Sequence, residues 1–225
     1  MPSLREGTGP KRCLYMDQKN SLSEQFVINS LLIKHAKAMK RFFVFALLIL
    51  GISLQIKAQL GLGDKVPNFT TLDQNQQEWT LHKELKKADY MVVYFYPAAF
   101  TGGCTKQACS YRDQKGEFEA VGAQVVGVSG DKPETLELFA LEHNLNFTLL
   151  ADETGKLAKI FDVPYGEGGS INREIKGQSL DLERGSTIQR WTFIISKEGK
   201  LIYKDSEVDA ANDSGKVMKY LSALQ

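Results

Sequence analysis

Cysteine is scarce in this chain, with three in 225 residues, and histidine is no commoner. Three thiols cannot build a disulfide-rich scaffold, and one of them, Cys13, lies far toward the N-terminus from the other two. Metal centres fail on the same shortage. The spacing Cys104-x4-Cys109 occurs in the plant-type iron–sulfur pattern, but that pattern needs two further thiolates. His82 and His143 stand at no ligand spacing to each other or to a cysteine, so both read as surface or boundary residues. No metal and no other cofactor is expected. Surplus charge is lacking too: 28 basic against 27 acidic residues give +1. Residues 1–58 hold nine and three of these, which leaves 19 basic and 24 acidic side chains, a formal −5, on the remainder. That balance offers no basic face to a nucleic acid. Long apolar runs are also missing, since none reaches the about 20 residues that a membrane-spanning helix usually needs.

The longest such run, Phe42 to Leu54, is interrupted only by Gly51 and Ser53; Met39-Lys-Arg41 precedes it and Ile56-Lys-Ala58-Gln59 follows. A charged flank, a short apolar stretch and a small residue form the layout of a secretory signal peptide, with cleavage expected after Ala58. An uncleaved anchor is the alternative, with Lys34, Lys37, Lys40 and Arg41 on the cytoplasmic side. Residues 1–38 show no clear hydrophobic period and read as a doubtful leader ahead of a start at Met39. The expected organisation is therefore a leader at 1–38, a signal or anchor at 39–58 and one domain at 59–225. That domain is exported, to a periplasm, and meets a membrane only through the N-terminal segment if it stays uncleaved.

From Gln59 onward, strand and helix patterns alternate with short connections, which favours an α/β layered domain with a central sheet. Met91 to Tyr96 reads as a strand buried on both faces, Gln124 to Val128 as another and Phe147 to Leu150 as a third. Trp191 to Ile195 and Leu201 to Tyr203 flank the turn signal Lys197-Glu-Gly-Lys200. Asn68 to Thr71 and Gln77 to Leu81 flank a turn at Asp73. Helices are expected over Cys104 to about Ala120, Pro133 to about His143, Gly155 to Phe161 and about Ala210 to Leu224. Asp131 is the expected cap of the second, with Pro133 in its first turn and Leu136, Phe139, Ala140 and Leu145 forming a core stripe. Residues 164–188, rich in glycine and charge, read as a long surface loop or hairpin extension.

The chemistry concentrates in Tyr94-Phe-Tyr-Pro97-Ala-Ala-Phe-Thr101-Gly-Gly-Cys104-Thr-Lys-Gln-Ala-Cys109. A cysteine where a strand passes through Thr-Gly-Gly into a helix has its sulfur near unpaired backbone N–H groups and the positive end of the helix dipole. That placement lowers a thiol's pKa, and the thiolate is the nucleophile. Bringing a thiol from about 8.5 to about 6 needs roughly 3 kcal/mol, more than the about 2 kcal/mol a partly buried helix terminus supplies. A cation is therefore expected beside it. Three functions stay open on this reading: a thiol peroxidase, a thiol:disulfide oxidoreductase, and a non-catalytic binding module with a structural disulfide. The second usually presents Cys-x-x-Cys, which is absent.

Pro97-Ala-Ala-Phe-Thr101-Gly-Gly-Cys104 resembles the Pro-x3-Thr-x2-Cys signature of peroxiredoxins, and Cys-x4-Cys resembles the PrxQ, or bacterioferritin comigratory protein, type. The resemblance covers essentially 61–225. Gly63-Asp-Lys-Val-Pro-Asn-Phe69 is similar to the family's opening segment, and Val126-Gly-Val-Ser129 and Leu149-Leu-Ala-Asp152 to its next strands. Arg190-Trp-Thr-Phe193-Ile-Ile-Ser-Lys-Glu-Gly199 resembles the strand carrying its active-site arginine. The resemblance implies a thioredoxin-like fold with a central mixed sheet flanked by helices, in a monomer or weak dimer.

The same resemblance implies that Cys104 is the peroxidatic cysteine, which attacks a hydroperoxide and becomes a sulfenic acid. It implies that Cys109 resolves this to a Cys104–Cys109 disulfide, and that a thioredoxin-like dithiol protein reduces the bond. Thr101 and Arg190 would bind peroxide and thiolate, Pro97 would shield the pocket, and the N–H groups of Gly103 and Cys104 would donate to substrate. The plainer alternatives are a helix-capping Thr101, a strand-ending Pro97, an Arg190 in a surface ion pair and a structural Cys109. Arg112 and Lys106 read as a solvated helix face. Segment 164–188 is longer than in many relatives. In a continuous helix, residues 104 and 109 lie about 7.5 Å apart along the axis, so bonding them requires the helix to open.

Overall fold

A computed structural model describes residues 59–225, together with Leu31, Leu32, Lys34, His35, Lys37, Met39 and Lys40, which are helical and exposed. Gln59–Gln225 form one compact unit. Cys13 and the expected signal, apart from Met39 and Lys40, lie outside the described residues.

Two short strands open the unit, β1 (Thr70–Leu72) and β2 (Glu78–Thr80), paired antiparallel. Asp73 makes their turn by accepting the N–H groups of Asn75 and Gln77 on one carboxylate oxygen, at 2.8 and 2.9 Å. After the single-turn helix α1 (Leu81–Glu84) comes β3 (Tyr90–Phe95). Helices α2 (Gly102–Asp113) and α3 (Lys115–Ala120) lead to β4 (Ala123–Ser129), then α4 (Pro133–Glu142) and β5 (Thr148–Ala151). Helix α5 (Lys156–Ile160) precedes β6 (Tyr165–Ile175) and β7 (Gln178–Ile188). The chain closes with β8 (Thr192–Ser196), β9 (Leu201–Asp205) and α6 (Asp213–Ser222).

Five strands form the central sheet in the order β5-β4-β3-β8-β9. The β3–β4 and β4–β5 pairs are parallel, whereas β8 runs antiparallel to β3 and to β9. The sheet is mixed, as the family resemblance implied. Strand β3 sits at its centre and divides its side chains by parity. Met91, Val93 and Phe95 join Val126, Val128, Phe193, Phe161 and Trp79 in one core. Val92, Tyr94 and Tyr96 join Tyr111, Phe139, Ile194, Val217 and Leu221 in the other. Residues 91–95 are fully buried, which accounts for the uninterrupted apolar run. Gly127 is needed opposite this strand, because a Cβ there would stand 2.7 Å from the Tyr94 hydroxyl.

Three expectations need correction. The helix over 104–120 is two helices, broken at Gln114, whose φ of −97° and ψ of 8° leave the helical region. Asp131 does not cap α4; Lys132 takes the cap position with no side-chain bond, and the Asp131 carboxylate turns inward. Segment 164–188 is the hairpin of the two alternatives, not an irregular loop. Ten residue pairs join β6 and β7, closed by Lys176 and Gly177, with φ of 52° and 77°, between Ile175 and Gln178. Two positive-φ residues in a two-residue turn suit the twist of a hairpin. Its base docks on the domain: Gly185 donates to the Gly130 carbonyl (2.9 Å) and Ser186 Oγ to that of Asp152 (2.8 Å).

Candidate active site

The site forms where β3 ends and α2 begins. Phe95 N–H donates to the Trp191 carbonyl (2.8 Å) and Tyr96 N–H to that of Val128 (3.0 Å), so the chain leaves the sheet between β4 and β8. Pro97 then ends the strand as a half-buried residue. The next turn is held by a buried carboxylate: Asp131 Oδ2 accepts the Ala99 N–H (2.8 Å) and the Ser129 hydroxyl (2.7 Å). Burial pushes the Asp131 pKa up, and those two hydrogen bonds oppose the rise. Phe100 follows at φ 58°, a conformation that costs a non-glycine residue energy and clusters at functional sites. Its ring packs edge-on against Phe139, and its carbonyl accepts from Arg173 Nε (3.2 Å) on the hairpin.

Thr101 occupies the N-cap position of α2 but does not cap with its side chain. Its hydroxyl donates to the Ala98 carbonyl (2.9 Å), leaving its oxygen lone pairs to accept. The first helical bond runs from Thr105 N–H to the Thr101 carbonyl (2.9 Å), so the N–H groups of Gly102, Gly103 and Cys104 precede the helical ladder. Cys104, third in the helix, is 1% exposed.

Arg190 is the cation that the sequence required. Positioned two residues before β8, it brings Nη2 to 3.3 Å from Cys104 Sγ and Nη1 to 2.5 Å from Gln107 Oε1. The surface ion-pair alternative does not describe it. The guanidinium lies close over Gly103, where a Cβ would stand 3.4 Å from Nη2. A fork with one nitrogen on a thiolate and the other on an amide oxygen is fixed in both position and plane.

Gln107 and Asp213 went unnoticed in the sequence. Gln107 carried a usable signal, because three residues beyond Cys104 it shares a helix face with it. Asp213, over a hundred residues away, carried none. Cys109 is half-buried on the same helix as Cys104, and both thiols are free. Lys106 is exposed as expected, whereas Arg112 is not part of a solvated face. It is half-buried, donates Nη1 to the His143 carbonyl (2.6 Å) and carries a charge that interacts with Cys109. His82 is exposed and His143 half-buried, and among the described residues no three His, Cys, Asp or Glu side chains converge as metal ligands.

Residues 62–204 match the AhpC/TSA family. Peroxiredoxin Bcp of Escherichia coli (strain K12) is 35% identical over 162 residues, covering 72% of this chain and 96% of its own. The crystal structure of peroxidoxin BcpB from Mycobacterium tuberculosis superposes with a TM-score of 0.61 at 31% identity, over 74% of this chain and 99% of that one. A Xanthomonas campestris bacterioferritin comigratory protein, whose structures are described for alkyl peroxide reduction activity, gives 0.58 at 26% identity, over 75% and 99%. A mixed central sheet flanked by helices, a family match over residues 62–204 and relatives matched along nearly their full length agree: the chain belongs to the AhpC/TSA family and, within it, to the peroxiredoxins of the Q/Bcp type.

Proposed function

We propose that this thiol-dependent peroxidase works through Cys104 as its peroxidatic residue. The observation carrying this reading is the 3.3 Å approach of Arg190 Nη2 to the buried Cys104 Sγ at the start of α2. The thiolate attacks one peroxide oxygen and the O–O bond breaks; the departing oxygen takes a proton and leaves as water or an alcohol, and the sulfur becomes a sulfenic acid. Arg190 and the free N–H groups at the helix start face the negative charge that builds on sulfur and oxygen. Thr101, its own proton committed to Ala98, accepts the peroxide O–H. Pro97 and the Phe100 ring limit water.

The Cys109 thiolate then attacks the sulfenic sulfur, an S–S bond forms, and the oxygen leaves as water. A thioredoxin-like dithiol returns two electrons and two protons. The presence of both thiols on one helix, neither of them in a disulfide, supports this route. Hydrogen peroxide and organic hydroperoxides are the substrates. The activity is exported, with 39–58 as the signal; the basic Met39-Lys-Arg41, the short apolar run Phe42 to Leu54 and the small residue Ala58 support this reading.

Stopped-flow consumption of hydrogen peroxide by the wild type and Cys104→Ser tests the chemistry. Loss of all protein-dependent consumption in the variant is expected, and persistence of it would overturn the reading. N-terminal sequencing of the native protein checks the export proposal: a first residue at Gln59 supports it, and an intact Met1 removes it.

A further inference from the structure

Behind Arg190 lies a second, wholly buried polar group that the reaction as written does not use. Asp213, the first residue of α6, is 2% exposed. Its Oδ2 accepts three hydrogen bonds: from Gln107 Nε2 (2.7 Å) and Tyr111 Oη (2.7 Å) on α2, and from Thr192 Oγ1 (2.9 Å) on β8. Its Oδ1 has no partner among the described residues. The serine hydroxyls of Ser110 and Ser214 join the same two helices one turn away.

This arrangement settles which way the Gln107 amide points. A guanidinium only donates and Asp213 Oδ2, holding three donors, only accepts, so an amide between them has one satisfying orientation, with nitrogen to Asp213 and oxygen to Arg190. Burial pushes the Asp213 pKa up, and the hydrogen bonds from Tyr111, Gln107 and Thr192 oppose the rise; a proton on Oδ1 would leave Oδ2 accepting all three. Without the carboxylate, nothing forces the amide oxygen toward Arg190. A flipped amide would set N–H against N–H and release one arm of the fork that holds Cys104.

We propose that Asp213 is a positioning residue for the peroxidatic centre, orienting the Gln107 amide so that its oxygen locks the Arg190 guanidinium plane against Cys104. The proposal rests on the peroxidase reading, and it assigns a duty to the last helix, which contributes no group to the reacting atoms. Asp213 acts by accepting, not by its charge. The two roles have opposite signs: removing a nearby negative charge favours the Cys104 thiolate, while loosening Arg190 disfavours it.

The test is the pH profile of Cys104 alkylation by iodoacetamide in the full chain. It is read by mass spectrometry after tryptic cleavage at Lys106, which puts Cys104 and Cys109 on separate peptides. Asp213→Ala is expected to slow alkylation of Cys104 at neutral pH by roughly tenfold and move its profile to higher pH. Asp213→Asn, whose amide oxygen accepts the same three bonds, should stay within about twofold of wild type. In a Gln107→Ala background the Asp213→Ala step should add less than about twofold, because the pathway is already cut. Asp213→Ser, too short to reach Gln107, replaces the alanine variant if that protein does not fold, with the same expectation.

An unchanged profile in folded Asp213→Ala would overturn the proposal as mere packing. Profiles moving to lower pH in both Ala and Asn variants would overturn it in favour of charge alone. Alkylation needs no peroxide, so a wild type that alkylates as expected but consumes none overturns the peroxidase reading and leaves the positioning role standing.

Discussion

At the scale of single residues, the site depends on the shape of a cation as much as on its sign. Arg190 touches Cys104 Sγ with one terminal nitrogen and Gln107 with the other. A lysine ammonium is a single point and cannot hold both partners from one position. Arg190→Lys should therefore keep the charge yet lower the second-order rate with hydrogen peroxide about a hundredfold, with an unchanged circular dichroism spectrum; stopped-flow kinetics check this. Cys104, Thr101 and Arg190 were legible because their residue types, order and spacing carry the chemistry within short segments. Asp131 was misread for an instructive reason. An aspartate two residues before a helical proline resembles a cap, but the buried Ala99 N–H beside it needed an acceptor, and Pro133 brings no N–H of its own to the helix start.

At the scale of elements, the proposed cycle asks two incompatible things of α2. Intact, it would aim its first turn at the peroxide; to let Cys109 reach Cys104 it would have to open, since the two sit on a continuous helix over Gly102–Asp113. The break at Gln114 confines that opening, and the Arg112 bond to the His143 carbonyl gives it a far anchor. Oxidation with one equivalent of peroxide should speed amide hydrogen exchange across 104–112 while β3 and β8 stay protected. Unchanged exchange in a disulfide-bonded protein would contradict this mechanism.

The hairpin makes a different demand. A Cβ on Gly130 would lie 2.0 Å from the Ser186 carbonyl oxygen, where β7 docks beside the Asp131 anchor. Gly130→Ala should destabilise the fold by about 2 kcal/mol, seen as a lower urea midpoint, because backbone faces backbone and no flexible side chain can yield. The paired strands of 164–188 escaped the sequence reading because ten exposed or half-buried residues open β6 before its first fully buried one, Ile175, so no alternation announces it.

Across the whole molecule, the interior is rich in hydroxyls that cannot ionise where they stand. Burial raises the pKa of Tyr94, Tyr96 and Tyr111 well above 10, and the Tyr94 hydroxyl has no partner. For each, the folded form keeps a proton that the unfolded form loses above pH 10, so the stability present below that pH is lost as pH rises further. Exposed lysines bonded to carboxylates, Lys132, Lys197 and Lys216, act with the same sign above 10.5. Each tyrosine held neutral contributes a slope of about 1.4 kcal/mol per pH unit. Urea unfolding at pH 9, 10 and 11 should show a steep fall in stability over the last step, and Tyr111→Phe should flatten it. The sheet order was only partly legible for a related reason: hydrophobic runs mark strands, but the pairing of β3 with β8 joins residues a hundred apart, for which local pattern carries no information.

That pairing also divides the site into a firm half and a soft one. Arg190 is carried next to a strand laddered into the middle of the sheet, with Tyr94 opposite Thr192 and Phe95 bonded to Trp191. Cys104 is carried by the first turn of a helix that the proposed cycle requires to open. On warming, the assembly should come apart from the cysteine side first, while the sheet endures. Catalytic rate would then fade reversibly at temperatures below the melting transition and return in full on cooling, so the protein's working ceiling is set by one helical turn and not by its core.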